Sequence, residues 1–184
     1  MQKIKKRVLR QELRRFNRTG LLVGAAILSV VKIFLWFMVG VPFGIFHYLR
    51  SMLPLLPRWI YMLFDLGVHA ILGATIGMVL CDKRYFCETQ KYRGAFYFVL
   101  AIVFGYLHYV FFFGIGYFLV CVVLALLELI CLTIAMLNFF HVTKLSSLFS
   151  FFGLLWGIYR FFLSLFSFFI VRKINKFIDK SREM

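Results

Sequence analysis

The stretch PRWIYMLFDLGVHAILG, residues 57–73, decides the fold. From Trp59 onward apolar residues predominate through Cys81, without the strict alternation of a barrel strand. A run of about 20 residues is long enough to cross a bilayer as a helix, whereas barrel strands are shorter and alternate. Inside this run sit Asp65 and His69, an acid and an imidazole four residues apart and therefore on one helix face.

Four more runs of this kind extend over about 20–40, 94–114, 117–139 and 147–171. With 59–81 as the second, they predict an all-α integral membrane protein, a bundle of five transmembrane helices. Composition agrees: 63% of the 184 residues are hydrophobic and 16% are charged, where soluble domains are nearer half and a quarter. The link FHYLRSMLPLLPRW contains Pro54 and Pro57 and reads as a surface loop or short helix. The link CDKRYFCETQKYR holds six charged residues and is aqueous. The turn GIGY, residues 114–117, is so short that the third and fourth helices must be antiparallel neighbours.

The net charge is +15 and lies mainly at the two ends. In a soluble protein that charge would point to nucleic acid. Here anionic lipid headgroups are the expected partner, and nucleic acid is not. The segment MQKIKKRVLRQELRRFNR has eight Lys/Arg against one Glu, with Val8, Leu9, Leu13 and Phe16 available to the interface. The expected organisation is a basic juxtamembrane segment at 1–19, a transmembrane domain at 20–171 and a basic tail at 172–184. Positive charge in the N-terminal segment and the 82–93 link, with Lys144, places that side in the cytoplasm. The C-terminus then lies outside, unless a re-entrant segment at 41–57 reverses it. A bacterial cytoplasmic membrane is the expected location. Cys121 and Cys131 read as small packing residues; Cys81 and Cys87 flank a loop without zinc-ligand spacing.

Ionisable groups at membrane depth are costly and face the bundle interior or a cavity. The candidates are Lys32, Asp65, His69, His108, Glu128 and Arg160. Met62, Asp65, His69 and Gly73 share a stripe on the second helix. Ala101, Gly105, His108 and Phe112 do so on the third, and Cys121, Ala125, Glu128 and Leu132 on the fourth. On the fifth, Ser146, Ser150, Gly153, Gly157, Arg160, Ser164 and Ser167 follow at steps of three or four. Gly153 and Gly157 also form a small-xxx-small packing motif. Two readings stand. The groups, with Trp59, Tyr109 and Trp156, line a polar ligand pocket; or they neutralise one another, Glu128 with Arg160 and Asp65 with His69, and bind nothing. Lys32 is expected to snorkel to the interface, and His47 and His141 to lie near the surface. No catalytic constellation, metal site or cofactor is expected.

These features bring a family into view. PRWIYMLFDLGVHAILGATIG resembles the P-x-W-[VI]-F-x-x-x-W-x-x-L-Y-x-x-x-G pattern of the TspO/translocator proteins, the tryptophan-rich sensory proteins, with Pro57, Trp59, Tyr61 and Gly73 in place. Phe112, Phe113 and Gly114 are similar to that family's F-F-G on the third helix. Val142, Lys144, Leu145, Leu148, Trp156, Tyr159 and Leu163 resemble its fifth-helix pattern. The resemblance covers about 20–171 and implies a five-helix fold with an interior cavity for tetrapyrroles, sterols or hydrophobic drugs. The chain departs where the family has Trp and Tyr on helix two (here Asp65 and His69) and Asn and Trp on helix three (Gly105 and His108). It departs again on helix five, at Phe152, Gly153, Arg160 and Ser164. An aromatic pocket has been replaced by an ionisable one.

The expected function is thus non-enzymatic: binding, sensing or moving a hydrophobic or amphipathic small molecule, porphyrin-like or lipid-like, with Trp59, Asp65, His69, His108, Tyr109, Glu128, Trp156 and Arg160 as ligand-binding residues. The alternative is a polytopic scaffold or assembly subunit, with a homodimer among its forms, whose buried charges only pair with each other. An ion-coupled carrier is disfavoured by five spans and no inverted repeat.

Overall fold

The computed structural model describes residues 18–39, 58–81 and 88–182, with side chains over 18–39, 60–81 and 88–176. The expectations for the basic segment up to residue 17, for the Pro54/Pro57 link with His47, for Cys87 and for the side chain of Trp59 lie outside the described residues.

Five helices carry the chain: α1 (Arg18–Val39), α2 (Arg58–Leu80), α3 (Glu88–Tyr109), α4 (Phe118–Val142) and α5 (Lys144–Arg182). Each is long and apolar enough to cross a membrane, and the described residues contain no strand. The five-helix reading therefore holds, with ends displaced by a few residues from those expected. The largest displacement is at the C-terminus. The helix of the fifth span continues through Arg182 rather than stopping near 171. Its 39 residues extend about 58 Å at 1.5 Å per residue, against a hydrocarbon core of about 30 Å.

Local chemistry sets the tight joints. After α3 the helix widens into a π-turn, Val110–Ile115, and Gly116 closes it at φ 78°, ψ 20°. That left-handed conformation favours glycine, and the Gly116 N–H donates to Phe111 O at 2.8 Å. Between α4 and α5 only Thr143 is extended. Its hydroxyl accepts from the Ser146 N–H at 3.1 Å, an N-cap that starts α5.

Helices α2, α5, α4 and α3 pack successively around a common interior, and α3 returns to touch α2. α1 lies outside this group against α2. The α1–α2 contact is backbone to backbone. A Cβ at Gly24 would land on the carbonyl of Gly73, and one at Gly77 on the carbonyl of Gly20. Glycine is required at both crossings, as in close membrane-helix pairs generally.

Two apolar clusters fill the interior. One gathers Tyr61, Tyr109, Phe112, Phe113, Phe118 and Trp156 near the π-turn. The other gathers Leu72, Val79, Phe98, Leu132 and Phe139 towards the opposite end. Cys121 belongs to the first and Cys131 to the second, as packing residues. On α2, α3 and α4 the ionisable side chains lie between the two clusters.

Candidate functional site: a polar layer inside the bundle

Lys32, Asp65, Glu128 and Arg160 each lie fourteen to sixteen residues from the helix end on one side of the bundle. At 1.5 Å per residue that is about 21–24 Å, so four helices deliver their charges to one level. His69 and His108 join them. All six side chains are buried, none more than 3% exposed.

The layer has two halves. In the first, Asp65 is the hub. Its Oδ2 is 2.8 Å from Lys32 Nζ, and its Oδ1 accepts from Trp156 Nε1 at 2.9 Å. Lys32 Nζ also stands 4.0 Å from the centroid of the Tyr109 ring, a cation–π contact. Lys32 does not snorkel. It is the fully buried charge of α1, because a carboxylate and an aromatic face inside the bundle satisfy it better than a stretched stem at the interface. The direct Asp65–His69 pairing is correspondingly weak. His69 Nδ1 lies 2.6 Å from the backbone carbonyl of Asp65 and 3.5 Å from its carboxylate. A carbonyl only accepts, so Nδ1 carries the proton. The His69 ring stacks on Tyr106 with centroids 5.5 Å apart.

In the second half, Arg160 reaches across from α5. Its Nη2 pairs with Glu128 Oε1, and its Nη1 donates to the carbonyl of Gly105 at 3.2 Å. Gly105 is what admits the pair to this place. A Cβ there would lie 3.0 Å from Glu128 Oε1 and 3.2 Å from Arg160 Nη2. The Ser164 hydroxyl donates to the Arg160 carbonyl at 2.9 Å and lies 2.8 Å from His108 Nε2. With its proton engaged, Ser164 Oγ accepts from His108 Nε2–H, which leaves Nδ1 of the neutral ring as an acceptor.

Of the residues singled out in the sequence, Asp65 and Trp156 meet directly, as do Glu128 and Arg160. Tyr109 lies under Lys32 and His108 bonds to Ser164. Every member of the α5 stripe from Ser146 to Ser167 is buried. The Gly153/Gly157 motif packs inside the chain, Gly153 on Leu72 and Gly157 on Leu129. Gly105, Tyr106 and Ser164 add to the expected site residues, and Lys32 joins them in the interior instead of reaching the interface. The signal for Lys32 lies in the sequence: Gly20, Gly24 and Lys32 fall on one four-residue stripe of α1, facing Gly77, Gly73 and Asp65 on a like stripe of α2.

Beyond Lys32 Nζ and Asp65 Oδ2, which meet only as an ion pair, four buried polar atoms have no hydrogen-bond partner among the described residues: Tyr106 OH, His108 Nδ1, Glu128 Oε2 and Arg160 Nε. The last three belong to the second half of the layer. They offer two acceptors and one donor. No three His, Cys, Asp or Glu among the described residues come together as a metal ion needs.

Compared with protein-family profiles, curated proteins and solved structures, the chain matches none.

Proposed function

We propose that this chain is a non-catalytic multi-pass membrane protein that receives a small amphipathic ligand in the polar layer of its bundle, in the manner of the tryptophan-rich sensory proteins it resembles. The observation that carries the reading is the set of unpartnered atoms on His108, Glu128 and Arg160. Buried polar groups are ordinarily satisfied, and ionisable groups at membrane depth are retained for function more readily than for stability. A ligand that meets this set presents hydrogen-bond donors to Glu128 Oε2 and His108 Nδ1 and an acceptor to Arg160 Nε. Pyrrole N–H groups beside a carboxylate have that pattern, and so does a hydroxylated lipid acid. Asp65, held by Lys32 and Trp156, would keep the first half of the layer neutral while the second half exchanges partners.

Native mass spectrometry of gently purified protein tests this. A co-purified small molecule is expected in the wild type and absent in Arg160→Ala and Glu128→Gln. A wild type that carries no such mass, and is not stabilised by carboxylated tetrapyrroles or lipid acids, would remove the reading.

The second reading, a scaffold whose charges serve only to select helix partners, is favoured by a different observation. Both ion pairs are closed, Lys32 with Asp65 and Arg160 with Glu128. In that case, replacing each pair by apolar residues of similar volume leaves the protein folded and active in the cell.

A further inference from the structure

Where α5 rises past the α3–α4 turn, an open groove of about 510 Å3 lies between the start of α4 and the late turns of α5. It lies away from the polar layer and none of that layer's residues line it. Its floor is apolar: Phe118 and Leu119 from α4, Phe168 and Val171 from α5. Its rim is cationic: Arg172 and Lys176, four apart and so on one face of α5. No carboxylate lines it. The N-terminus of α4 opens on the same space, where first-turn N–H groups lack helical acceptors and the helix dipole is positive.

The level of this groove identifies what it meets. The candidate spans of α3 and α4 end at Ile115 and begin at Phe118. The α5 span runs past that turn to Lys176, so the groove stands at the end of the apolar spans. Along α5, Phe168 and Val171 lie on the bundle side and Arg172 and Lys176 on the outer side. Apolar floor and basic rim thus follow one another along α5 in the order in which a lipid presents its chain and its phosphate. The rim also lies at the end of the bundle opposite Arg18, Lys91 and Lys144, where the positive-inside bias predicts few cations.

From this arrangement we propose that the groove is a binding site for a single anionic phospholipid, its phosphate between Arg172 and Lys176 and an acyl chain along Phe168 and Leu119. The site is independent of whatever the polar layer binds.

The full chain, purified in neutral detergent, is titrated with phosphatidylglycerol, with phosphatidylcholine and with glycerol phosphate, and bound lipid is counted by native mass spectrometry. One phosphatidylglycerol per chain is expected to be retained in preference to phosphatidylcholine. Two headgroup-level cations account for about tenfold or more in affinity, so Arg172→Gln/Lys176→Gln should lose the retained lipid by that factor. The control Lys91→Gln/Lys173→Gln, which removes the same charge outside the groove, should keep it. Equal retention of both lipids, an equal loss in the control, or displacement by glycerol phosphate at lipid-like concentrations would each overturn the proposal.

Discussion

Lys32 on α1 and Asp65 on α2 form an ion pair with Nζ and Oδ2 2.8 Å apart, and neither side chain has any exposure. The pair continues the register of the glycine contact. Gly20 faces Gly77 and Gly24 faces Gly73, and moving along the same antiparallel register brings 32 opposite 65. The glycines let the two backbones touch, and that closeness puts a short carboxylate within reach of a lysine on the next helix. The pair is therefore the device that ties α1, which otherwise packs mainly on α2, to the interior.

Removing one partner strands the other. Asp65→Asn is expected to destabilise the protein by about 3–5 kcal/mol, because Lys32 is then a buried charge without compensation. Lys32→Met/Asp65→Leu should recover most of that loss. Denaturant unfolding in detergent micelles measures both. An Asp65→Asn protein as stable as wild type would mean that the lysine finds water.

The α1–α2 register can be read by cross-linking. A Cβ placed at Gly20 lies 2.6 Å from Cys81 Sγ and 3.0 Å from its Cβ, a little inside the Cβ–Cβ separation of about 3.5–4.5 Å usual for disulfides. The new Cβ also lies 2.9 Å from the Gly77 carbonyl, so the helix pair must part there before Gly20→Cys forms an intramolecular disulfide with Cys81 under mild oxidation. It is detected as a non-reducing gel shift that Cys81→Ala abolishes. Absence of the bond would exclude this register.

Two serines one turn apart should behave differently. Among the described residues Ser167 donates to Leu163 O of its own helix at 2.7 Å and makes no other bond, whereas Ser164 also accepts from His108. Ser164→Ala leaves a buried imidazole N–H unpaired and should cost about 1–3 kcal/mol, and Ser167→Ala about 1 kcal/mol or less. Unfolding titrations of the two variants side by side decide it. Equal costs would show that the His108 contact contributes nothing.

Much of this architecture was legible in the sequence, because in a bilayer the length of an apolar run reports directly on a helix. Steps of three and four along α5 named its buried face, and Asp65, His69, His108, Glu128 and Arg160 all proved to be interior. Partners between helices were harder to read. Periodicity gives a residue's face but not the height or rotation of the neighbour. Asp65 was therefore matched with His69 on its own helix when its stronger partners are Lys32 and Trp156. The long stem of Lys32 permits snorkelling and so points to the interface, and only its alignment with Gly20 and Gly24 argues the reverse. The π-turn at 110–115 has no periodic signature, and the run of helix beyond 171 is masked by its lysines and arginines.

Gly105 gives the Arg160–Glu128 pair both a carbonyl to hold and the room to stand in. A methyl group at 105 and the salt bridge compete for the same few cubic ångströms. Gly105→Ala should loosen the pair and lower stability, and the loss should shrink when Arg160 and Glu128 are both made apolar, as a double-mutant cycle on unfolding would reveal. The three positions therefore act as one unit: a side chain at 105 presses on the ends of Glu128 and Arg160, and its cost is set by whether those two charges are there to be displaced.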